Sequence, residues 1–195
     1  MDSHAAGRHG VADPPVAMDV QTGNDIIAAL AQEVIPTHIF YGTGYVIHGL
    51  GFQLSNGTRK GLVLEDSKLP VDLHDSRRMP VRAGHFIQLQ PGELPTSIQG
   101  RSSNMGFLAF QVIIGTRLVH GGGRTLPAIT GTEAAQQGEF FRADAPRGHY
   151  FKDFWWQAGS LTSAYVAVIP DVIVPGLVGQ SDPGWLPLTD LLPRQ

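Results

Sequence analysis

Phe52-Gln53-Leu54-Ser55-Asn56-Gly57-Thr58-Arg59-Lys60-Gly61-Leu62-Val63-Leu64 sets two β-forming runs on either side of an Asn-Gly pair. Asparagine and glycine adopt positive φ at least cost, so residues 50–64 are expected to form a β-hairpin closed by a tight primed turn. The same pattern extends outward. HIFYG (38–42), YVIHGLGFQL (45–54), HFIQL (85–89), TSIQG (96–100) and GFLAFQVII (106–114) are short runs rich in β-branched and aromatic residues. EFFRA (139–143), YFKDFWW (150–156) and SAYVAVI (163–169) continue the series. Glycine, proline or Asn-Gly separates most of them, the spacing of an antiparallel sandwich, barrel or prism. Pro91-Gly92 is a second turn signal.

One segment reads as helix. In NDIIAALAQE (24–33), Ile26, Ile27, Leu30 and Ala31 share a face at helical spacing. Asn24 is the expected cap, and Pro36 ends the helical pattern. The chain therefore divides into a polar, disordered tail (residues 1–20), an all-β domain (21–170, its strands from about residue 34) and a proline-rich apolar tail (171–195). Five prolines from Pro170 onward forbid a long helix and disfavour a central strand. The large apolar side chains among them argue for packing on the domain or on a partner, with Trp185, Leu188 and Leu191 as anchors.

Composition excludes several classes. Of 195 residues, 42% are hydrophobic and only 16% charged, enough to build a core but few for a helical protein with a solvated face. Gly (24) and Pro (14) are plentiful, as short strands with many turns require. The formal net charge of −3 gives no electrostatic footprint for nucleic acid, and Arg77-Arg78 is an isolated loop pair. There is no cysteine, so neither a disulfide framework nor a thiolate metal site is available. No apolar run has signal-peptide or membrane-spanning length. A cytoplasmic or unconventionally secreted protein without a transmembrane segment is expected.

Catalytic constellations are weak. His120-Gly121-Gly122-Gly123 matches the oxyanion loop of lipases, but no Gly-x-Ser-x-Gly elbow accompanies it. A glycine turn between strands is the preferred reading. The eight histidines (4, 9, 38, 48, 74, 85, 120 and 149) lack the spacing of a helical metal site. Asp72-Leu73-His74-Asp75 sets Asp72 and His74 on one strand face but Asp75 on the other. Glu65-Asp66 and Asp144 read as solvated loop charges. The expectation is a non-enzyme with no cofactor and no metal.

Tyr150 to Ile169 is the most informative stretch. Two runs flank a small-residue turn at Ala158-Gly159-Ser160. Trp155 and Trp156 are adjacent, so in a strand they face opposite sides, one into the core and one outward. An exposed aromatic beside a glycine turn suits stacking on the apolar face of a sugar ring.

The order of these motifs resembles the jacalin-related lectins. Ile47-His48-Gly49-Leu50-Gly51-Phe52-Gln53-Leu54-Ser55-Asn56-Gly57-Thr58 is similar to that family's early hairpin. Ile87-Gln88-Leu89-Gln90-Pro91-Gly92-Glu93 followed by Thr96-Ser97-Ile98-Gln99-Gly100 resembles its L-x-P-G-E-x-I-x-x-I-x-G segment. Phe107-Leu108-Ala109-Phe110 resembles the next core strand, and Phe154-Trp155-Trp156-Gln157-Ala158-Gly159 stands at the place of F-x-G-R-S-G. The resemblance implies a β-prism of three antiparallel four-stranded sheets, with a short N-terminal helix and an irregular C-terminal tail added here. It also implies non-catalytic glycan binding at Gly159, Ser160, Leu161, Thr162 and Ser163, helped by Trp155 or Trp156, in a homo-oligomer. Two departures qualify it. Ser163 occupies the position of the family's sugar-binding aspartate, and its glycine-rich first loop is represented only by Gly23-Asn24. A hydrogen bond to a charged group contributes about 1.5–3 kcal/mol against about 0.5–1.5 for a neutral one, so single sugars should bind roughly tenfold more weakly. A prism kept as an interaction or assembly module that has lost sugar binding is the competing reading. An enzyme on another β fold, with histidine metal ligands, is the third.

Overall fold

The computed structural model describes residues 20–44, 46–64, 70–72, 85–102, 109–131, 138–157, 160–170 and 181–192. The N-terminal tail (residues 1–19), Gly159, Glu65-Asp66, His74 and Arg77-Arg78 lie outside the described residues.

The chain opens with one helix, α1 (Val20–Leu30), extended by turn hydrogen bonds to Glu33. Thirteen strands follow among the described residues, all paired antiparallel. The first five are β1 (Pro36–Thr43), β2 (Ile47–Leu54), β3 (Arg59–Leu64), β4 (Pro70–Asp72) and β5 (His85–Gln88). They run side by side in the order β5-β1-β2-β3-β4. Next come β6 (Glu93–Ser102), β7 (Ala109–Leu118), β8 (Gly123–Thr125), β9 (Ile129–Thr130) and β10 (Glu139–Asp144). Here β10 pairs β6, β6 pairs β7, and both β8 and β9 pair β7. A single bridge, Ile47 to Ala109, joins the two groups into one ten-stranded sheet. The last group is a three-stranded sheet of β11 (His149–Gln157), β12 (Ser160–Val168) and β13 (Gly184–Pro187). The all-β class, with one short helix among the described residues, is thus found. The strand groups number five, five and three among the described residues, where the resemblance implied four in each.

Local chemistry explains the turns. The β2–β3 hairpin forms where the Asn-Gly signal places it, but on a three-residue loop rather than the two-residue primed turn expected. Gly57 N–H donates to the Leu54 carbonyl (2.9 Å) and Leu54 N–H to that of Thr58 (2.7 Å). Gly57, at φ 86°, fills the left-handed third position that such loops require. Asn56 contributes through its side chain, whose Oδ1 accepts from Thr58 N–H at 2.9 Å. At Pro91-Gly92, Glu93 N–H donates to Gln90 O (2.9 Å) with Gly92 at φ 78°, a turn that favours proline and then glycine at its centre.

Strand alternation builds the core. Along β7, Val112 and Ile114 turn inward between half-buried neighbours. They join Ile39, Ile47, Leu50 and Phe52 of the first group and Phe151, Phe154 and Val166 of the three-stranded sheet. A smaller cluster seats α1 through Ile26 and Leu30 against Leu94, Val119, Tyr150 and Ala167. The helix starts four residues earlier than its expected cap, so Asn24 lies inside it. The apolar face, rather than the cap, determines where this helix sits.

The C-terminal segment also differs from expectation. It is not wholly irregular: β13 pairs with β12, and a 3-10 turn (Leu188–Asp190) follows. Proline is tolerated because β13 is an edge strand. Leu191 enters the main core at 2% exposure, with Leu186 and Leu188 packed partly against it. Trp185, expected as an anchor, is 43% exposed.

Candidate functional site

The three-stranded sheet carries the most chemically pointed surface. Two irregularities shape it. Pairing between β11 and β12 shifts between Phe151 and Asp153, and again between Trp155 and Trp156. Bulges of this kind re-aim side chains. The first leaves Lys152 outside the pairing, so Phe151 and Phe154, three residues apart, both reach the core. The second leaves Thr162 outside on β12, so Leu161 and Ala164 both turn inward. Asp153 and Trp155 on β11, and Ser163 and Tyr165 on β12, then share the other face.

That face lines a groove of about 670 Å³. Trp155 lies opposite Ser163 across the strand pair, and Tyr165 opposite Trp185 of β13. Trp185 stands edge-on to two rings, Trp155 at 6.2 Å and 80° and Tyr165 at 5.6 Å and 89°. Perpendicular packing of this kind is favoured by the ring quadrupoles and fixes ring orientation. Leu54 and Lys60 from the β2–β3 hairpin, with Val34, form the facing wall. The polar groups are few: Ser163, Lys60, Lys152 and the buried Asp153, whose Oδ1 accepts from Phe154 N–H at 2.8 Å. Lys152 Nζ also lies 5.9 Å from the centre of the Tyr150 ring. An aromatic cluster with a small number of placed polar groups is the composition of a small-ligand site.

The residues expected at the site separate. Trp155 and Ser163 line the groove together. Trp156, at 3% exposure, packs edge-on to Phe141 at 5.8 Å in the core, and Leu161 is also buried there. Strand alternation turns both away from the groove. Thr162 donates its hydroxyl to the Trp155 carbonyl (3.2 Å), and Ser160 is exposed where β12 begins. Tyr165, Trp185, Lys60 and Lys152 were not expected at the site. The i, i+2 spacing from Ser163 marks Tyr165, but nothing local to Trp185 signals its pairing with β12.

The remaining candidates lie elsewhere. His120 to Gly123 forms the hairpin turn from β7 to β8, closed by Leu118 N–H to Gly122 O at 2.9 Å. The histidines are dispersed: His38 Nδ1 lies 2.9 Å from Thr37 Oγ1, His85 stacks on Tyr41, and His149 Nδ1 lies 2.8 Å from the Arg147 carbonyl. No three His, Asp or Glu side chains gather as a metal site among the described residues. Asp144 is not a solvated loop charge. It is buried at the end of β10, and burial raises its pKa although Arg142 opposes this by charge and hydrogen bond.

No family model and no curated protein sequence matches the chain. Among solved structures, the chain is similar to a prostate-specific glycoprotein lectin, WGA16, at 17% identity and a TM-score of 0.46. The match covers 71% of this chain and 86% of that one. It is also similar to a variant of Malaysian banana lectin at 12% identity and a TM-score of 0.38, covering 83% of each chain.

Proposed function

We propose that this chain is a non-catalytic carbohydrate-binding protein whose ligand lies in the groove between the three-stranded sheet and the β2–β3 hairpin. One observation carries the reading: Trp185 stands perpendicular to both Trp155 and Tyr165 in an aromatic cluster beside Ser163. Sugar rings have an apolar face that stacks on an aromatic ring and a rim of hydroxyls that needs donors and acceptors. The cluster offers the first and the Ser163 hydroxyl, the lysines and Asp153 the second. With a serine where a carboxylate would bind sugar hydroxyls most strongly, affinity for single sugars is low, and longer glycans or several linked subunits raise it. The finer fold reading, a jacalin-like β-prism closed from the three strand groups, belongs to the same proposal.

The test is a glycan array probed with the wild type and with Trp185→Ala. Binding to oligosaccharides that Trp185→Ala reduces about tenfold or more supports the groove. An array without signal for the folded wild type removes the proposal. Ser163→Asp should strengthen monosaccharide binding if this serine contacts the ligand.

A second reading has its own observation. Among the described residues β13 is an edge strand with a 43% exposed tryptophan, a surface suited to pairing with another copy of the chain. Sedimentation at several concentrations separates the two: self-association abolished by Trp185→Ala, without glycan binding, favours an assembly module.

A further inference from the structure

A second groove, of about 470 Å³, opens on the sheet formed by β10, β6, β7 and β8. Three arginines line it: Arg117 on β7, Arg124 on β8 and Arg142 on β10. Register sets Arg142 beside Gln99 at one margin and Arg124 beside Thr116 at the other. Between them Ser97 pairs with Gly115. A Cβ on Gly115 would stand 2.2 Å from Ser97 Oγ, so glycine there keeps the serine hydroxyl in the groove floor.

Two of the guanidinium groups are fixed from behind. Glu93 is buried and accepts Arg124 Nε at 2.6 Å and Nη2 at 3.0 Å. The same carboxylate accepts the Thr116 hydroxyl and the Gln90 N–H (2.9 Å), so its oxygens are saturated. Arg142 Nε donates to Asp144 Oδ1 at 3.2 Å. Each carboxylate takes the Nε side. The Nη1 group of Arg124 and both Nη groups of Arg142 have no protein partner among the described residues, and the two side chains are 43% and 35% exposed. A guanidinium held by one edge presents its other N–H donors without having to be ordered on binding.

We propose that this groove is an oxyanion site for a hydroxylated small molecule. The arginines receive its sulfate, phosphate or carboxylate group, and Ser97 and Gln99 receive its hydroxyls. This site is separate from the aromatic groove and stands or falls independently of it.

The test is an NMR titration of the full chain at constant low ionic strength. The probes are inorganic phosphate, inorganic sulfate, acetate, glucose, glucose 6-phosphate and, as control, chloride. Saturable shifts at the Gly115 and Gly123 amides and the Arg124 and Arg142 Nε–H signals are expected with at least one oxyanion. Among the three inorganic and acetate arms, the strongest identifies the anion. Glucose 6-phosphate should bind more tightly than inorganic phosphate, and glucose should leave these signals unmoved. Gln99→Glu, nearly isosteric, places a like charge in the floor and should weaken binding about tenfold or more. Arg117→Gln, which touches neither buried carboxylate pair, gives an independent loss if the first variant unfolds. Shifts no larger than those with chloride, or unchanged affinity in folded variants, would overturn the proposal.

Discussion

The two grooves are carved from one kind of scaffold and differ in how their floors are made. Around Trp155 and Ser163, two bulges turn residues out of the β11–β12 pairing, and aromatic rings fill the exposed face. Around Ser97 and Gly115 the same alternation presents hydroxyls and arginines, secured by buried carboxylates. A β-sheet face has no chemistry of its own. What it offers follows from which residues alternation delivers and what lies behind them. Behind the first groove is the hydrophobic core. Behind the second is a pair of buried acids that are unequal partners. Among the described residues the Glu93 carboxylate accepts four hydrogen bonds, whereas that of Asp144 has one side-chain partner, Arg142.

The largest effect should come from the support of the first groove. Leu191→Ala removes a buried anchor that holds the chain just beyond β13 and should cost about 2–5 kcal/mol in urea unfolding. It should also loosen Trp185 and weaken any ligand there, with a smaller effect at Arg142 because the Leu191 carbonyl accepts the Asp144 N–H at 2.9 Å. Trp185→Ala, by contrast, should change stability by less than about 1 kcal/mol, since the ring is 43% exposed. Equal destabilisation by the two would show that Trp185 is structural.

Next in size is the inequality of the acids. Arg124→Met leaves Glu93 buried with only neutral donors. Breaking a fully buried pair costs about 3–5 kcal/mol, and the partial exposure of Arg124 reduces this to about 2–3. Arg142→Met should cost less, about 1 kcal/mol, because it removes a single hydrogen bond of 3.2 Å, where Arg124 makes two shorter ones. Equal costs would contradict the ranking.

The two acids should also give opposite slopes with pH. Burial alone would raise the Glu93 pKa, but Arg124, the Gln90 N–H and the Thr116 hydroxyl outweigh it and hold it below its ordinary 4.5. Its contribution is present above that value and is lost as pH falls through the lower folded one. Asp144 titrates above its ordinary 3.8, so its folded form holds the proton longer. Stability therefore falls as pH rises from 3.8 through the folded value. In thermal unfolding against pH, Glu93→Gln should flatten the acid loss, and Asp144→Asn should raise stability at neutral pH. The reverse pattern would invert the assignment.

What the sequence reveals about these regions depends on range. Asn56-Gly57 and Pro91-Gly92 are legible because turn chemistry is local, and the opposite facing of Trp155 and Trp156 follows from a period of two. The loop length at Asn56-Gly57 is not legible, since Asn-Gly serves both two- and three-residue hairpins. Neither are the bulges that leave Lys152 and Thr162 outside the pairing, because they record a mismatch between partner strands. Glu93 and Arg124 are 31 residues apart, and the sheet alone makes them neighbours. Trp185 joins Tyr165 across a stretch whose Pro175-Gly176 and Pro183-Gly184 signal turns but not which strand the chain then pairs with. Ser163 was reached through the family resemblance and lies in the groove, whereas Leu161 of the same loop does not, because its side of the strand faces the core.

The three tryptophans provide the most direct test of glycan binding in the aromatic groove. Their indole Nε1–H signals can be followed in ¹⁵N-labelled protein during titration with neutral oligosaccharides of mannose, galactose and glucose. Trp155 and Trp185 line the groove, and Trp156 is sealed in the core as an internal control. Saturable shifts of the Trp155 and Trp185 signals, with Trp156 unmoved, are the predicted result. Titrations that leave Trp155 and Trp185 unmoved, or that move Trp156 alone, would contradict it.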